Sequence, residues 1–273
     1  MNIITSGTIG VICATGKSGT RVTDRLEAEG RSVRRLARGT TPAFDWTSPD
    51  GWPAALAGLS ALYVVFVPDV AAPGADATIG QLLAVAREAG VERAVLLSGR
   101  GEAGARRAEV VALASGIPTT IVRASWFSQN FTEGMLVPVD GVIAVPAGQR
   151  REPFVDLDDL ADVVVEALTG DGHAGRVYEV TGPELLTFGE AAELIAEASG
   201  RPVAYVPLDL ETFRAAVAQE AGDEIADMLT ELCREVFDGR NESLTDGVRQ
   251  ALGRAPRSLR DVLARAGEPA RVA

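Results

Sequence analysis

Short apolar runs alternate with stretches whose apolar residues recur every three or four positions through the first half of the chain. Ile9, Val11 and Ile12 form the first run, and a helical pattern at Thr20, Val22 and Leu26 predicts a helix from about Thr20 to Glu29, ended by Gly30. Ser32–Leu36 is the second predicted strand, Phe44-Asp45-Trp46 ends a short third segment, and a helix is expected around Trp52–Ala57. The unbroken apolar run Ala61–Val67 stops at Pro68-Asp69 and reads as a strand buried on both faces of a parallel sheet. A helix over Ala77–Glu88, a fifth strand over Arg93–Leu97 and a sixth over Thr119–Arg123 continue the alternation. The expected fold class is therefore α/β, with a doubly wound parallel sheet.

The second half carries more helix. Strands are expected at Gly141–Pro146, Pro153-Phe154-Val155, Arg176–Val180 and Val203–Val206. Asp156-Leu157-Asp158-Asp159-Leu160 opens a helix through Leu168, and its acids read simply as a helix start favoured by the dipole. Thr187 caps a helix from Phe188 to Ser199 that stops at Gly200, and Leu210–Ala221 and Glu224–Phe237 complete the lobe. His173, beside the turn Gly170-Asp171-Gly172, reads as a surface loop residue, and only the tail after Gly267 lacks a pattern.

The chemistry concentrates between the first strand and the first helix, in Cys13-Ala14-Thr15-Gly16-Lys17-Ser18-Gly19. A strand, a glycine turn and a helix N-terminus leave backbone amides unpaired where the helix dipole favours an anion. Gly16 and Gly19 let a diphosphate and the neighbouring strand approach without a Cβ. Cys13, Thr15, Gly16, Lys17, Ser18 and Gly19 are the candidate cofactor-binding residues of a dinucleotide site. Two other readings stay open. Gly16-Lys17-Ser18 resembles the end of a triphosphate P-loop with Asp69 as its acidic partner, although Val11 stands where that loop needs glycine. The turn also suits an ordinary α/β unit without a ligand.

At the end of the second strand an acid would hold an adenosine 2′-hydroxyl, and a base would accommodate a 2′-phosphate. Arg34, Arg35 and Arg38 stand there, with no acid between Ser32 and Thr41, which favours NADP(H). Of these Arg38 is the chosen phosphate ligand, the alternative being a solvated arginine edge. Asp45 and Trp46 lie where an adenine would rest, and Phe66, Val67 and Pro68 follow a strand end where ligands of such sheets bind.

Composition narrows the partners. The 273 residues are 47% hydrophobic and 23% charged, a balance that buries a core. A net charge of −12 argues against nucleic acid and anionic membranes, leaving small molecules or proteins. Two cysteines, Cys13 and Cys233, and one histidine give no disulfide framework or metal spacing, so no metal is expected. Met1–Ser6 lacks the basic and apolar regions of a signal and no run reaches spanning length, which predicts a cytoplasmic protein.

Four blocks carry a family resemblance: Cys13–Gly19, Ala94-Val95-Leu96-Leu97-Ser98, Ser115–Arg123 and Trp126-Phe127-Ser128-Gln129-Asn130-Phe131. Together they resemble the NmrA-like branch of the atypical short-chain dehydrogenases, from about Val11 to Arg265. Phe44-Asp45-Trp46 and Gly182-Pro183-Glu184-Leu185-Leu186-Thr187-Phe188 are similar to the group containing the clavine dehydrogenases. The resemblance implies a Rossmann domain over residues 1–131, a smaller substrate lobe over 132–273 interleaved with the last sheet elements, and NADPH-dependent reductase activity. Two positions depart from the family: Cys13 replaces the first loop glycine, and Ala124 stands where proline usually follows Arg123.

Ordinary short-chain dehydrogenases use a tyrosine acid with a lysine four residues on. Here Tyr63, Tyr178 and Tyr205 are followed at that spacing by Val67, Gly182 and Asp209, and Lys17 is the only lysine. Arg106 falls near the place where many relatives keep a lysine. A guanidinium there can hold a ribose or a developing anion but cannot donate a proton at neutral pH; a solvated helix position is its plain alternative. Ser98 is the candidate hydroxyl beside a nicotinamide, its alternative being a turn cap. With no acid evident, hydride transfer to an iminium, a quinone or a conjugated C=C is expected, since an alkoxide would need a proton. Trp126, Phe127 and Asn130 are the candidate substrate residues, although Phe127 and Phe131, four apart, read best as one helix stripe on the core. Arg123 reads as structural, with Asp156 or Glu184 as its expected buried partner. A redox sensor that binds NADP(H) without turnover, or a redox-neutral cyclase or isomerase that keeps the cofactor, remain the alternatives.

Overall fold

The computed structural model describes residues 7–266; Met1–Ser6 and the tail from Gly267 lie outside the described residues. The chain runs through β1 (Thr8–Ile12), α1 (Lys17–Ala28), β2 (Val33–Leu36), α2 (Trp52–Leu56), β3 (Leu59–Val64), α3 (Ala75–Glu88), β4 (Arg93–Gly99), α4 (Ala103–Leu113) and β5 (Thr119–Ala124). It continues through α5 (Asn130–Glu133), β6 (Val142–Val145), β7 (Arg151–Glu152), α6 (Leu157–Thr169), β8 (Val177–Val180), β9 (Leu186–Thr187) and α7 (Phe188–Ser199). β10 (Ala204–Pro207), α8 (Leu210–Ala221), α9 (Asp223–Val236), α10 (Gly247–Leu252) and α11 (Leu259–Ala266) follow.

Six parallel strands form the main sheet in the order β2-β1-β3-β4-β5-β8. Their apolar runs divide by parity between two cores, as a doubly covered sheet requires. Val11, Tyr63, Val95 and Val122 face α1 and α6, while Ile12, Leu62, Val64, Leu96 and Ile121 face α2, α3 and α4. The strand order reverses between β1 and β3, so a ligand crevice opens beyond the carboxyl ends of those strands. A third core fills the lobe around Phe131, Phe154, Phe188 and Phe213, beneath the parallel pair β6–β10 and the antiparallel pair β7–β9.

Several elements differ from the expected ones. The segment ending at Phe44-Asp45-Trp46 is no strand: Asp45 Oδ1 folds it into a turn by accepting from the Thr47 amide (2.9 Å), and Phe44, Trp46 and Trp52 pack together. Nor is Pro153–Val155 a strand; Val155 makes an isolated bridge to Phe127, and the ladder lies just before it at Arg151–Glu152. His173 is buried at 8% exposure, with its Nδ1 2.8 Å from the Tyr178 hydroxyl.

The acids that start α6 also fasten the molecule. Asp156 caps the helix at Asp158 N (2.9 Å) and accepts from Arg265, while Asp158 and Asp162 accept from Arg25 of α1 at 2.8 and 2.6 Å. Fully buried Asp159 accepts from Arg254 and Arg257, each at 2.6 Å. A second network lies at the sheet's carboxyl end. Arg123 of β5 is held not by Asp156 or Glu184 but by Glu109 of α4 (2.6 and 2.8 Å) and Glu179 of β8 (2.8 Å). Its neighbours in the sheet supply what linear spacing does not show. Burial opposes charge on both carboxylates, but hydrogen bonds from Arg123 to both, Ser98 to Glu109 and Arg100 to Glu179, with the arginine charges, leave both pKa values lowered.

Groups with lowered folded pKa values contribute stability that is present above the unfolded carboxylate range and lost as pH falls through the folded values. In urea titrations the native protein should therefore weaken as pH drops below about 4.3. Glu109→Gln should lose roughly 3 kcal/mol at pH 7 by leaving Arg123 under-compensated and show a shallower acid dependence. Equal slopes for both proteins would remove the network from the stability account.

Candidate functional site

The turn after β1 is closed by main-chain contacts. The Gly16 amide donates to Cys13 O (2.8 Å), and Thr20 Oγ1 donates to Ala14 O (3.1 Å). Gly19 lies beneath: a Cβ there would stand 2.1 Å from Cys13 O and 2.7 Å from its carbonyl carbon, so no side chain fits. α1 begins at Lys17, three residues before its expected start, and thereby brings Lys17, Ser18 and Gly19 into its first turn. It has neither a side-chain cap nor an acid in that turn, so its first amides and the positive end of its dipole remain available to an anion. Cys13 meets the turn's curvature with a left-handed backbone, φ 55°, and places Sγ 3.6 Å from Val65 O. Burial raises its thiol pKa, against the nearby charge of Arg38.

The three arginines after the turn have separate surroundings. Arg34 donates to Ala55 O (3.0 Å) and Ala57 O (2.7 Å), and Arg35 pairs with Glu27 (2.9 Å). Arg38 is exposed and has no hydrogen-bond or ion-pair partner among the described residues. Asp45 lies near it with Oδ1 spent on Thr47, and Trp46 Nε1 donates to Val65 O (3.2 Å) while its ring packs on Phe66.

A cavity of about 550 Å³, within the range of small-molecule sites, opens at the carboxyl ends of β1, β3, β4 and β5. Its wall brings together Cys13, Gly16, Lys17, Ser18, Phe66, Val67, Pro68, Ser98, Trp126, Phe127 and Asn130. Thr15, at the turn's exposed tip, Gly19, beneath it, and Arg38, Asp45, Trp46 and Arg106 are not part of that wall. Lys17 Nζ donates to Asn130 Oδ1 (2.9 Å), tying the turn to the segment before the lobe. Burial lowers the Lys17 pKa, with Glu133 acting in the opposite direction. Trp126 stacks on Phe237 with centroids 5.2 Å apart, and Phe127 and Phe131 do not share a face: Phe127 reaches the cavity, while Phe131 packs on Phe154.

Ser98 Oγ donates to Glu109 Oε1 (2.6 Å), which commits its proton and leaves its lone pairs as acceptors. Arg106, with its side chain 58% exposed, reaches Glu109 at 3.4 Å. All three tyrosines lie off the cavity wall. Sequence reasoning missed Met135, Leu232 and Val236, which close the apolar side from the lobe, and the carboxyl of Glu102, and it raised Asp69 only as the acidic partner of a P-loop. The only signal for these acids was their position just past two strand ends.

No protein-family model matches the chain. It is 32% identical over 251 residues to the NAD(P)H azoreductase of Xenophilus azovorans, covering 86% of this chain and 85% of that one. It is 30% identical over 240 residues to festuclavine synthase II of Penicillium roqueforti, covering 80% and 82%. Among solved structures, the Citrobacter triphenylmethane reductase complexed with NADP(H) superposes with a TM-score of 0.79 at 21% identity, over 95% of this chain and 99% of that one, a likeness of fold. Because the turn admits no Cβ at its base, Gly19→Ala should cost about 3 kcal/mol or more. An unchanged urea midpoint would show that the helix can move away freely.

Proposed function

The chain belongs to the NmrA-like branch of the atypical short-chain dehydrogenases, a family of NAD(P)H-dependent oxidoreductases, and from that premise we propose that it is an NADPH-dependent reductase of small, flat acceptors. The acceptor classes are iminium ions, quinones and conjugated C=C bonds. The observation that carries this reading is the uncapped first turn of α1 opening onto an apolar, aromatic-walled cavity at the sheet's reversal point. The turn suits a diphosphate in charge, since its amides are free and Gly19 lets the first turn of α1 close directly on the Cys13 carbonyl.

In this reading the residues divide the work by position. Cys13, Thr15, Gly16, Ser18 and Gly19 form the diphosphate cradle, and Lys17 adds charge while holding Asn130. Arg38, free beside the turn, takes the 2′-phosphate, with Asp45 and Trp46 bordering the adenosine. Phe66, Val67 and Pro68 border the nicotinamide half. When bound, NADPH supplies the hydride. Ser98 orients it by accepting a hydrogen bond, because its own proton is held by Glu109. Arg106 acts at most through Glu109, whose charge it supports. Trp126, Phe127 and Asn130 seat the acceptor, an aromatic wall that stacks on a planar ring and attracts a cation.

The test is a titration with NADPH and NADH. NADPH should bind at least about tenfold more tightly, a difference of about 1.4 kcal/mol, and Arg38→Asp should remove most of that preference. Equal affinities for both nucleotides in the native protein would refute the arginine assignment. NADPH binding without oxidation across iminium, quinone and enone acceptors would replace the reductase with a redox sensor.

A further inference from the structure

Asp69, in the loop after β3, and Glu102, just before α4, line the cavity with the residues described above. Glu102 occupies the N-cap position of α4 but does not cap it; Glu235 of α9 takes the Ala103 amide instead, at 2.8 Å. Glu102 is 6% exposed, and its Oε2 is buried with no hydrogen-bond partner among the described residues. The site around it is built by close approaches. A Cβ at Gly99 would stand 1.7 Å from Glu102 Oε1, and one at Gly104 would stand 2.1 Å from Ala71 O, so the Asp69 loop lies directly on the start of α4. Asp69 Oδ1 accepts from the Ala71 amide (2.7 Å), which fixes its carboxyl in the loop, and both acids share one cavity wall.

Among the described residues no arginine neutralises the two acids. Arg100 spends its guanidinium on Glu179, Asn241 O and Ser243, and Arg240 spends its own on Asp238, Gly101 O and Glu235. Among the described residues, the remaining charge acting on the pair is Glu235, which is also negative. Two neighbouring buried carboxyls are reconciled by one shared proton, since each opposes charge on the other.

We propose that the Asp69–Glu102 pair is the proton donor of this site and that it fits the protein to quinones, whose reduction requires a proton as well as a hydride. The proposal rests on the reductase reading above. Hydride from NADPH brings two electrons to the quinone, and the negative charge left on an oxygen takes the proton from Glu102, giving the hydroquinone. The Glu102 carboxylate is then reprotonated from solvent. Burial raises the Glu102 pKa to about 8, aided by the neighbouring Asp69 carboxyl and the charge of Glu235. Asp69 is raised too, again by burial. The acid form is thus present at neutral pH, where a donor is needed.

Two readouts test the pair. Infrared titration of the protein without added nucleotide should show protonated-carboxyl absorption that disappears as pH rises through about 8, from Glu102 and from Glu152, a second buried carboxyl raised to about 8 by burial. Glu102→Gln should remove part of that absorption and Glu102→Gln with Glu152→Gln the rest; absorption of unchanged amplitude in Glu102→Gln would overturn the proposal. NADPH-driven turnover of 1,4-naphthoquinone is then compared with that of crystal violet, a cation that takes hydride without a proton. The quinone-to-dye ratio should fall about 100-fold in Glu102→Gln, and Asp69→Asn should move the alkaline loss of quinone turnover to lower pH by removing a neighbouring charge. An unchanged ratio, or an alkaline limb that does not move in Asp69→Asn, would overturn it as well. A native protein that oxidises NADPH with neither probe would refute the reductase reading, and the infrared titration would still decide the state of the carboxyl pair.

Discussion

The contact between Gly19 and the carbonyl of Cys13 is the constraint on which the site depends. With no room for a Cβ at that crossing, the first turn of α1 settles directly against the end of β1. Its unpaired amides then point beyond the sheet instead of into a cap. The rest follows from where this places the turn. Lys17 reaches Asn130, the strand reversal between β1 and β3 leaves a crevice beside it, and Trp126 with Leu232 and Val236 of the lobe closes that crevice.

Charge holds the surrounding elements in place. A chain with a net charge of −12 could spend its arginines on solvent, yet Arg25, Arg254, Arg257 and Arg265 converge on the acids of α6, and Arg123 joins β5 to α4 and β8. These ties link remote segments and fix the sheet's carboxyl edge. The same edge carries Ser98, so the network that aligns the strands also determines that Ser98 offers lone pairs and not a proton. Acid function falls instead to residues from two loops, Asp69 and Glu102, where the chain is free of the sheet's hydrogen-bond demands.

The parallel sheet was legible because buried strands leave short apolar runs bounded by glycine and proline: Arg93–Leu97 became β4 at nearly those bounds, and Ala61–Val67 became β3 shifted to Leu59–Val64. Local signals misled where tertiary contacts dominate. Lys17-Ser18-Gly19 looked like a turn because glycine disfavours helix, but the close crossing at Gly19 requires it inside α1. Phe44–Trp46 has strand-forming residues, yet the Asp45 turn and the packing of three aromatic rings use them otherwise. The partners of Arg123, the burial of His173 and the lobe side of the cavity depend on contacts between distant segments, which no spacing records. The closeness of Asp69 and Glu102 belongs to the same class, since each acid alone resembles an ordinary loop residue.

The central claim is that the amides of the Cys13–Gly19 turn hold the diphosphate of a nicotinamide nucleotide. Hydrogen exchange followed residue by residue, with and without NADPH, measures it most directly. Amides of Gly16, Lys17 and Ser18 should slow sharply when NADPH is added, while ATP with magnesium leaves them unchanged. Protection by ATP with magnesium alone, or no change at those amides under saturating NADPH, would contradict the account.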